Sequence, residues 1–207
     1  MEKPDFETAR KYVLNLLEKN LSPNLFYHGV HHTRDDVLPA FERLAELEGI
    51  SGEDLVLGKT AALYHDIGYV EQYVKNEPVG VNIAKETLPK WGYAPEQVAR
   101  IGRIIMATQL QNVNGKLIQV PDKSDPLQLI MCDADLDSLG REDFFITGEN
   151  LRRELAGQGI ENGLRKWYEA QLAFQRNHSY FTDAAKKLRN EGKARNILEI
   201  ERLLGVA

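Results

Sequence analysis

His65 and Asp66 stand side by side at the end of an apolar helical run, Ala61-Ala-Leu-Tyr-His-Asp-Ile-Gly-Tyr69. A core has little use for an adjacent imidazole and carboxylate unless something pairs with them, because burying an unpartnered carboxylate is costly. A metal ion is an effective partner. Two other stretches carry the same kinds of donor: His28, His31 and His32 upstream, and Asp133, Asp135 and Asp137 downstream. On a helix His65 and Asp66 lie about 100° apart, so both can reach a point near its C-terminal end. His28 and His32 are four apart and would share a helical face, although Gly29 between them also allows His28 to sit on a preceding loop. Imidazole and carboxylate together suit Mn, Fe, Co, Ni, Zn or Mg. On an octahedral ion, four such ligands leave about two positions open, the arrangement that activates water near neutral pH and polarises a phosphoryl group.

The elements that must position these residues are helical nearly throughout. Phe6, Ala9, Tyr12, Val13, Leu16 and Leu17 recur at helical spacing after Pro4. Residues 22–30 break that helix. A second runs from His31 to Glu48 and ends at Gly49, with Pro39 expected to kink or divide it. Ser51-Gly-Glu-Asp54 reads as the start of the helix that ends in the His65-Asp66 doublet, with Gly68 closing it. Further helices are expected at about 78–91, 95–107, 126–138, 142–156, 161–177 and 181–204, the last broken at Gly192. The long loop at 110–125 contains Asn114-Gly115 between short apolar runs, which predicts a small hairpin near 112–120. The fold class is therefore all-α. The expected organisation is one compact domain over 1–207, with a metal core at about 25–140 and C-terminal helices at about 142–205.

The composition narrows the function classes. Hydrophobic residues are 43% and charged residues 28% of 207, an ordinary globular balance. A formal charge of −5 argues against wrapping a nucleic-acid polymer, while leaving room for a local basic pocket that takes a small anion. The lone Cys132 excludes an intrachain disulfide and a multi-cysteine zinc site. No run of about 18 apolar residues is present, so no membrane span is expected. The N-terminal Met-Glu-Lys-Pro-Asp-Phe-Glu lacks an apolar signal core, and the cytoplasm is the expected compartment.

Tyr27-His28-Gly-Val-His-His32-Thr, the His65-Asp66 doublet and Ala134-Asp135-Leu136 together resemble the HD superfamily of metal-dependent phosphohydrolases. The first segment is similar to the Tyr-His-x-x-x-His motif of its cyclic-nucleotide phosphodiesterase and bacterial branches. Asn76-Glu77, Ile105-Met-Ala-Thr108, Asp133 to Gly140, Leu151-Arg-Arg-Glu154 and Ala194-Arg-Asn196 are similar to a group of bacterial HD-domain hydrolases, so the resemblance spans about residues 25–200. It implies an HD-type helical bundle with His32, His65, Asp66 and Asp135 as metal ligands. It implies His28 as the acid that protonates the leaving group, and Asp66 as a participant in catalysis. The implied activity is hydrolysis of a phosphomonoester or phosphodiester of a small molecule, a nucleotide above all.

One departure from the family matters. Members with a full two-metal site add histidines between the doublet and the last aspartate, whereas here no histidine occurs between 66 and 177. Asn76-Glu77 and Thr108 hold the corresponding places, which favours one divalent ion per chain. Glu77 is the candidate for a weak second ion held through water, with a dipole role at a helix N-terminus as the plainer alternative. Asp133 and Asp137 are candidates to hydrogen-bond a ligand or to be helix-surface carboxylates, and His31 faces outward or supports a ligand. Arg103, Lys75 and Arg34 are the candidate phosphate contacts. Two other readings stay open: a ligand-sensing HD domain without catalysis, and an HD-type di-iron oxygenase. The oligomeric state is not legible.

Overall fold

The computed structural model describes residues 3–161 and 163–206. Met1 and Glu2, part of the N-terminal reading, and Asn162, inside the helix expected at 161–177, lie outside the described residues. The fold is all-α, with a single two-stranded ribbon among the described residues. The helices are α1 (Phe6–Asn20), α2 (Leu38–Leu47), α3 (Gly52–Tyr64), α4 (Asn76–Thr87), α5 (Pro95–Ala107), α6 (Pro126–Asp135), α7 (Phe144–Gly157), α8 (Leu164–Asn177) and α9 (Asp183–Leu204). Strands β1 (Leu110–Val113) and β2 (Lys116–Gln119) lie between α5 and α6.

Helix α3 is the centre. Its last turns are apolar all round, with Leu57, Ala61, Ala62, Leu63 and Tyr64 buried, as expected for a helix enclosed on every side. α1, α2, α5 and α6 pack around it. Each neighbour presents one apolar stripe: Ala9, Val13 and Leu17 on α1, and Val98, Ile101, Ile104 and Ile105 on α5. Asp5 caps α1 by accepting the Thr8 N–H at 3.0 Å. A smaller apolar cluster of Leu139, Phe144, Leu172, Ile200 and Leu204 joins α7, α8 and α9.

One expectation holds and two departures from the sequence reading have local causes. The helix expected from His31 to Glu48 changes form just before Pro39, the residue expected to kink or divide it. A π-helical stretch, His32–Val37, runs directly into α2, and Pro39 falls in the first turn of α2. The expected break at Gly192 is absent because α9 runs unbroken past it. Gly192 serves a close approach: a Cβ there would lie 2.0 Å from the Gly140 carbonyl oxygen. The hairpin forms but starts two residues early, pairing Leu110 with Gln119 through Val113 with Lys116. Asn114 and Gly115 turn it, both at positive φ (53° and 80°), the type I′ geometry that Asn-Gly favours. No helix of the described residues is long and apolar enough to cross a membrane.

Candidate metal centre

His65 and Asp66 follow the last residue of α3, so the central helix carries them into the middle of the bundle. The chain then turns at Gly68, whose α-carbon lies so close to the start of α4 that a Cβ would meet the Asn76 carbonyl oxygen at 2.0 Å. His32 opens the π-helical stretch before α2. The wider π turn is a geometry that recurs at functional sites. Asp135 is the last residue of α6. Elements far apart in sequence thus deliver four side chains to one point. Asp66 Oδ2 lies 3.1 Å from His65 Nε2 and 3.7 Å from His32 Nε2. Asp135 Oδ1 lies 3.5 Å from His32 Nε2 and 3.6 Å from His65 Nε2.

The residues fit a cation. His32 Nε2, His65 Nε2 and Asp66 Oδ2 are all buried and lack a hydrogen-bond partner. Leaving a buried polar atom unpartnered costs about 1–3 kcal/mol, more where charge is involved. The Nδ1 of His65 is 2.9 Å from the Ala62 carbonyl oxygen, which can only accept. Nδ1 therefore carries the proton, and Nε2 is left free to bind a metal, the tautomer that metal-ligating histidines show. Burial resists protonation of His65, but Asp66 and then Asp135 raise its pKa above the usual imidazole value. Burial resists ionisation of Asp66, yet His65 holds its carboxyl far below the usual range. A divalent cation would supply the same compensation as those protons and would displace them. The buried group His32, His65 and Asp66 could hold a metal ion, with Asp135 against both imidazoles.

Asp135 is itself held. Its Oδ2 accepts a hydrogen bond from Gln119 Nε2 at 2.7 Å, and the same amide reaches the Thr108 carbonyl at 3.0 Å. Strand β2 therefore orients one corner of the cluster.

His28 lies beside the cluster on the loop before the π-helical stretch, its ring centre 5.8 Å from that of His32. Glu154 of α7, buried and without solvent exposure, accepts from His28 Nδ1 at 2.5 Å, from the His28 amide at 3.0 Å and from the Tyr27 amide at 2.9 Å. Tyr73 donates its hydroxyl to the same carboxylate at 3.0 Å. Tyr69 stacks on the His28 ring, the ring centres 4.5 Å apart. A carboxylate only accepts, so Nδ1 of His28 carries a proton and Nε2 is the nitrogen left to exchange one.

The other candidates fall elsewhere. Asp133 is buried, but its carboxylate accepts from the Phe181 and Thr182 amides and the Thr182 hydroxyl, fixing the entry to α9. Asp137 takes a two-point contact from Arg189 and a third bond from Arg43. Glu77 accepts from Gln109 at 3.1 Å, and the Thr108 hydroxyl donates to the Ile105 carbonyl. Thr108 touches the site only through its backbone, by way of Gln119. Lys75 is exposed at the left-handed turn before α4, Arg103 is exposed on α5, and His31 faces solvent. Arg34 pairs with Asp35 and Glu18 on the surface. None of the three cations is brought to the cluster by an ion pair or hydrogen bond among the described residues. Sequence reasoning assigned no role to Glu154, Gln119, Tyr69 or Tyr73. The 151–154 resemblance was the only signal, and it pointed to Glu154 without giving it a task.

Glu154 makes acid stability testable. Burial alone would raise its pKa, but the His28 ring and then the His28 and Tyr27 amides hold it below the usual value. The unfolded chain therefore takes up this proton first as pH falls. The stability from Glu154 is complete above the unfolded glutamate value of about 4.3 and is lost as pH drops through the folded value. Glu154→Gln is expected to flatten this part of the profile. Melting temperatures of both proteins between about pH 6 and about pH 3 check it; parallel profiles would mean that Glu154 does not contribute as an anion.

Comparison of the chain with protein-family models and with curated proteins gives no match.

Proposed function

We propose that the chain is a metal-dependent phosphohydrolase of HD type acting on a small phosphorylated molecule, in the first place a nucleotide. The observation that carries this reading is the convergence of three buried, unpartnered donor atoms beside an imidazole whose other nitrogen is held by a buried carboxylate. His32, His65, Asp66 and Asp135 would hold one divalent ion. When bound, such an ion activates water and neutralises the charge that builds on phosphoryl oxygens.

The chain's own residues supply the rest. Glu154 and Tyr69 fix the His28 ring, so that Nε2 carries a proton to the oxygen that leaves phosphorus. Gln119 sets the Asp135 carboxylate, and the Ala62 carbonyl sets the His65 ring, so neither needs to reorganise during turnover. Glu77 is engaged by Gln109 and the Thr108 hydroxyl by the Ile105 carbonyl, and Glu77 is not in the group of donors that could hold a metal, which supports a one-ion site over a di-iron one.

The test is a screen of nucleotides and sugar phosphates for released phosphate, run with Mn, Co, Ni, Zn and Mg in turn. Turnover that depends on added metal and disappears in Asp66→Ala supports the reading. Bound metal with no turnover across the panel would turn it toward a ligand-sensing domain.

A further inference from the structure

Behind His65 stands the Ala62 carbonyl, and behind Asp135 the Gln119 amide. Behind His32 stands a carboxylate. Asp36 lies four residues on in the same π-helical stretch, and its Oδ2 is 3.9 Å from His32 Nδ1. Side chains four apart share one side of a helix. The separation is longer than a hydrogen bond, so the pair acts through charge. Burial resists ionisation of Asp36, but His32 and Arg141 hold its carboxyl below the usual range. Asp36 is therefore an anion at neutral pH. Its neighbour Asp35 is exposed and bound to Arg34 instead.

Asp36 is held in turn from the C-terminal helices. Arg141 Nη1 donates to Asp36 Oδ1 at 2.6 Å. The same guanidinium forks onto Asp143 at the start of α7, with Nε donating to Oδ1 at 2.8 Å and Nη2 to Oδ2. The Arg141 carbonyl accepts from Asn196 Nδ2 of α9 at 3.0 Å, and that amide also reaches the Leu139 carbonyl at 3.0 Å. A line of contacts thus runs from α9 through Arg141 and Asp36 to His32. An isolated surface ion pair would contribute little. Here both partners are partly buried, the guanidinium is fixed by a second carboxylate, and the line ends on an imidazole of the cluster.

We propose that Asp36 is a positioning residue for His32, and that Arg141 acts through Asp36. A carboxylate facing Nδ1 favours the tautomer with its proton on that nitrogen, which leaves the Nε2 lone pair turned to the cluster. The inference rests on His32 being a metal ligand, as in the hydrolase reading. It gives the C-terminal helices a second task besides carrying Glu154: they hold the His32 ring from behind.

The test is zinc affinity of the full chain, measured by competition with a chromophoric chelator. Asp36→Asn keeps the shape and removes the charge, and is expected to weaken zinc by about 10–100-fold. Arg141→Ala is expected to weaken it less. The double variant should bind no more weakly than Asp36→Asn alone, because residues acting in one line are not additive. Arg152→Ala removes an ion pair with Glu149 elsewhere on α7 and should bind zinc as the wild type does. In the zinc form, the His32 Nδ1 proton should give a signal in nitrogen-edited NMR that is lost to exchange with water in Asp36→Ala. If Arg141→Ala does not fold, Asp36→Asn and the proton signal decide alone. Zinc bound equally by the wild type and Asp36→Asn would overturn this inference and leave the metal reading standing. Additive losses, an equal loss in Arg152→Ala, or a proton signal that survives in Asp36→Ala would also overturn it. A wild type that takes up no zinc or any other divalent ion would remove the metal reading and this inference with it.

Discussion

His28→Ala is expected to keep its divalent ion and to lose about 10²–10⁴-fold in turnover on a phosphate ester with an alkoxide leaving group. The reason is positional. The His28 ring sits 5.8 Å from His32, between Glu154 and Tyr69, but it contributes no atom to the group of donors that could hold metal. An alkoxide leaves phosphorus poorly unless protonated, whereas p-nitrophenolate needs little help. The deficit should therefore shrink sharply with p-nitrophenyl substrates. Steady-state rates on the two substrate types, with elemental analysis of the same preparations, check this. Wild-type rates on both would deny His28 a chemical role, and loss of metal would make it a ligand. Glu154→Gln should show a smaller deficit of the same leaving-group dependence, since it disturbs the ring without removing it.

Asp66→Ala is expected to weaken metal binding by more than about 100-fold, beyond the 10–100-fold typical of losing a group that merely supports a ligand. Asp66 Oδ2 faces both imidazoles, at 3.1 Å and 3.7 Å, and is the most central oxygen of the cluster. Without it, two neutral rings and Asp135 remain, and half of the anionic charge that favours a dication is gone. The wild type should carry at least one ion per chain after gel filtration, and Asp66→Ala a small fraction of that. Equal content in the two proteins would remove Asp66 from the site.

The sequence makes one class of feature readable and hides another. Helix α5 is placed to the residue because its apolar spacing is an intrinsic, local property. The His65-Asp66 doublet stands out because polar neighbours are anomalous in an apolar run. Asp133, Asp135 and Asp137 cannot be separated by spacing alone. The structure divides them by their partners: two amides and a hydroxyl for the first, two arginines for the third, and the imidazoles for the second. Glu154 is hidden for a related reason. With Glu149, Arg152 and Arg153 it reads as a solvated helix face, and only the packing of α7 against the His28 loop buries it. Gln119 lies in what reads as a loop. That Gly192 serves a close approach and does not break α9 is set by Gly140, more than fifty positions away, which no local window contains.

The hairpin gives the cluster a hard side and a soft side. His32, His65 and Asp66 are set in the packed bundle, whereas the Asp135 carboxylate is tethered by Gln119 of a two-stranded ribbon whose Leu110, Val113 and Leu117 are exposed. A lone pair of strands is marginal in water, and such elements open locally while the core stays folded. For a cation held here, the strength of binding would be set mainly by the bundle. The pace of its exchange would be set by the ribbon, whose opening would free one corner of the cage while the other three hold. Capture and retention become separable properties, written into different parts of the chain.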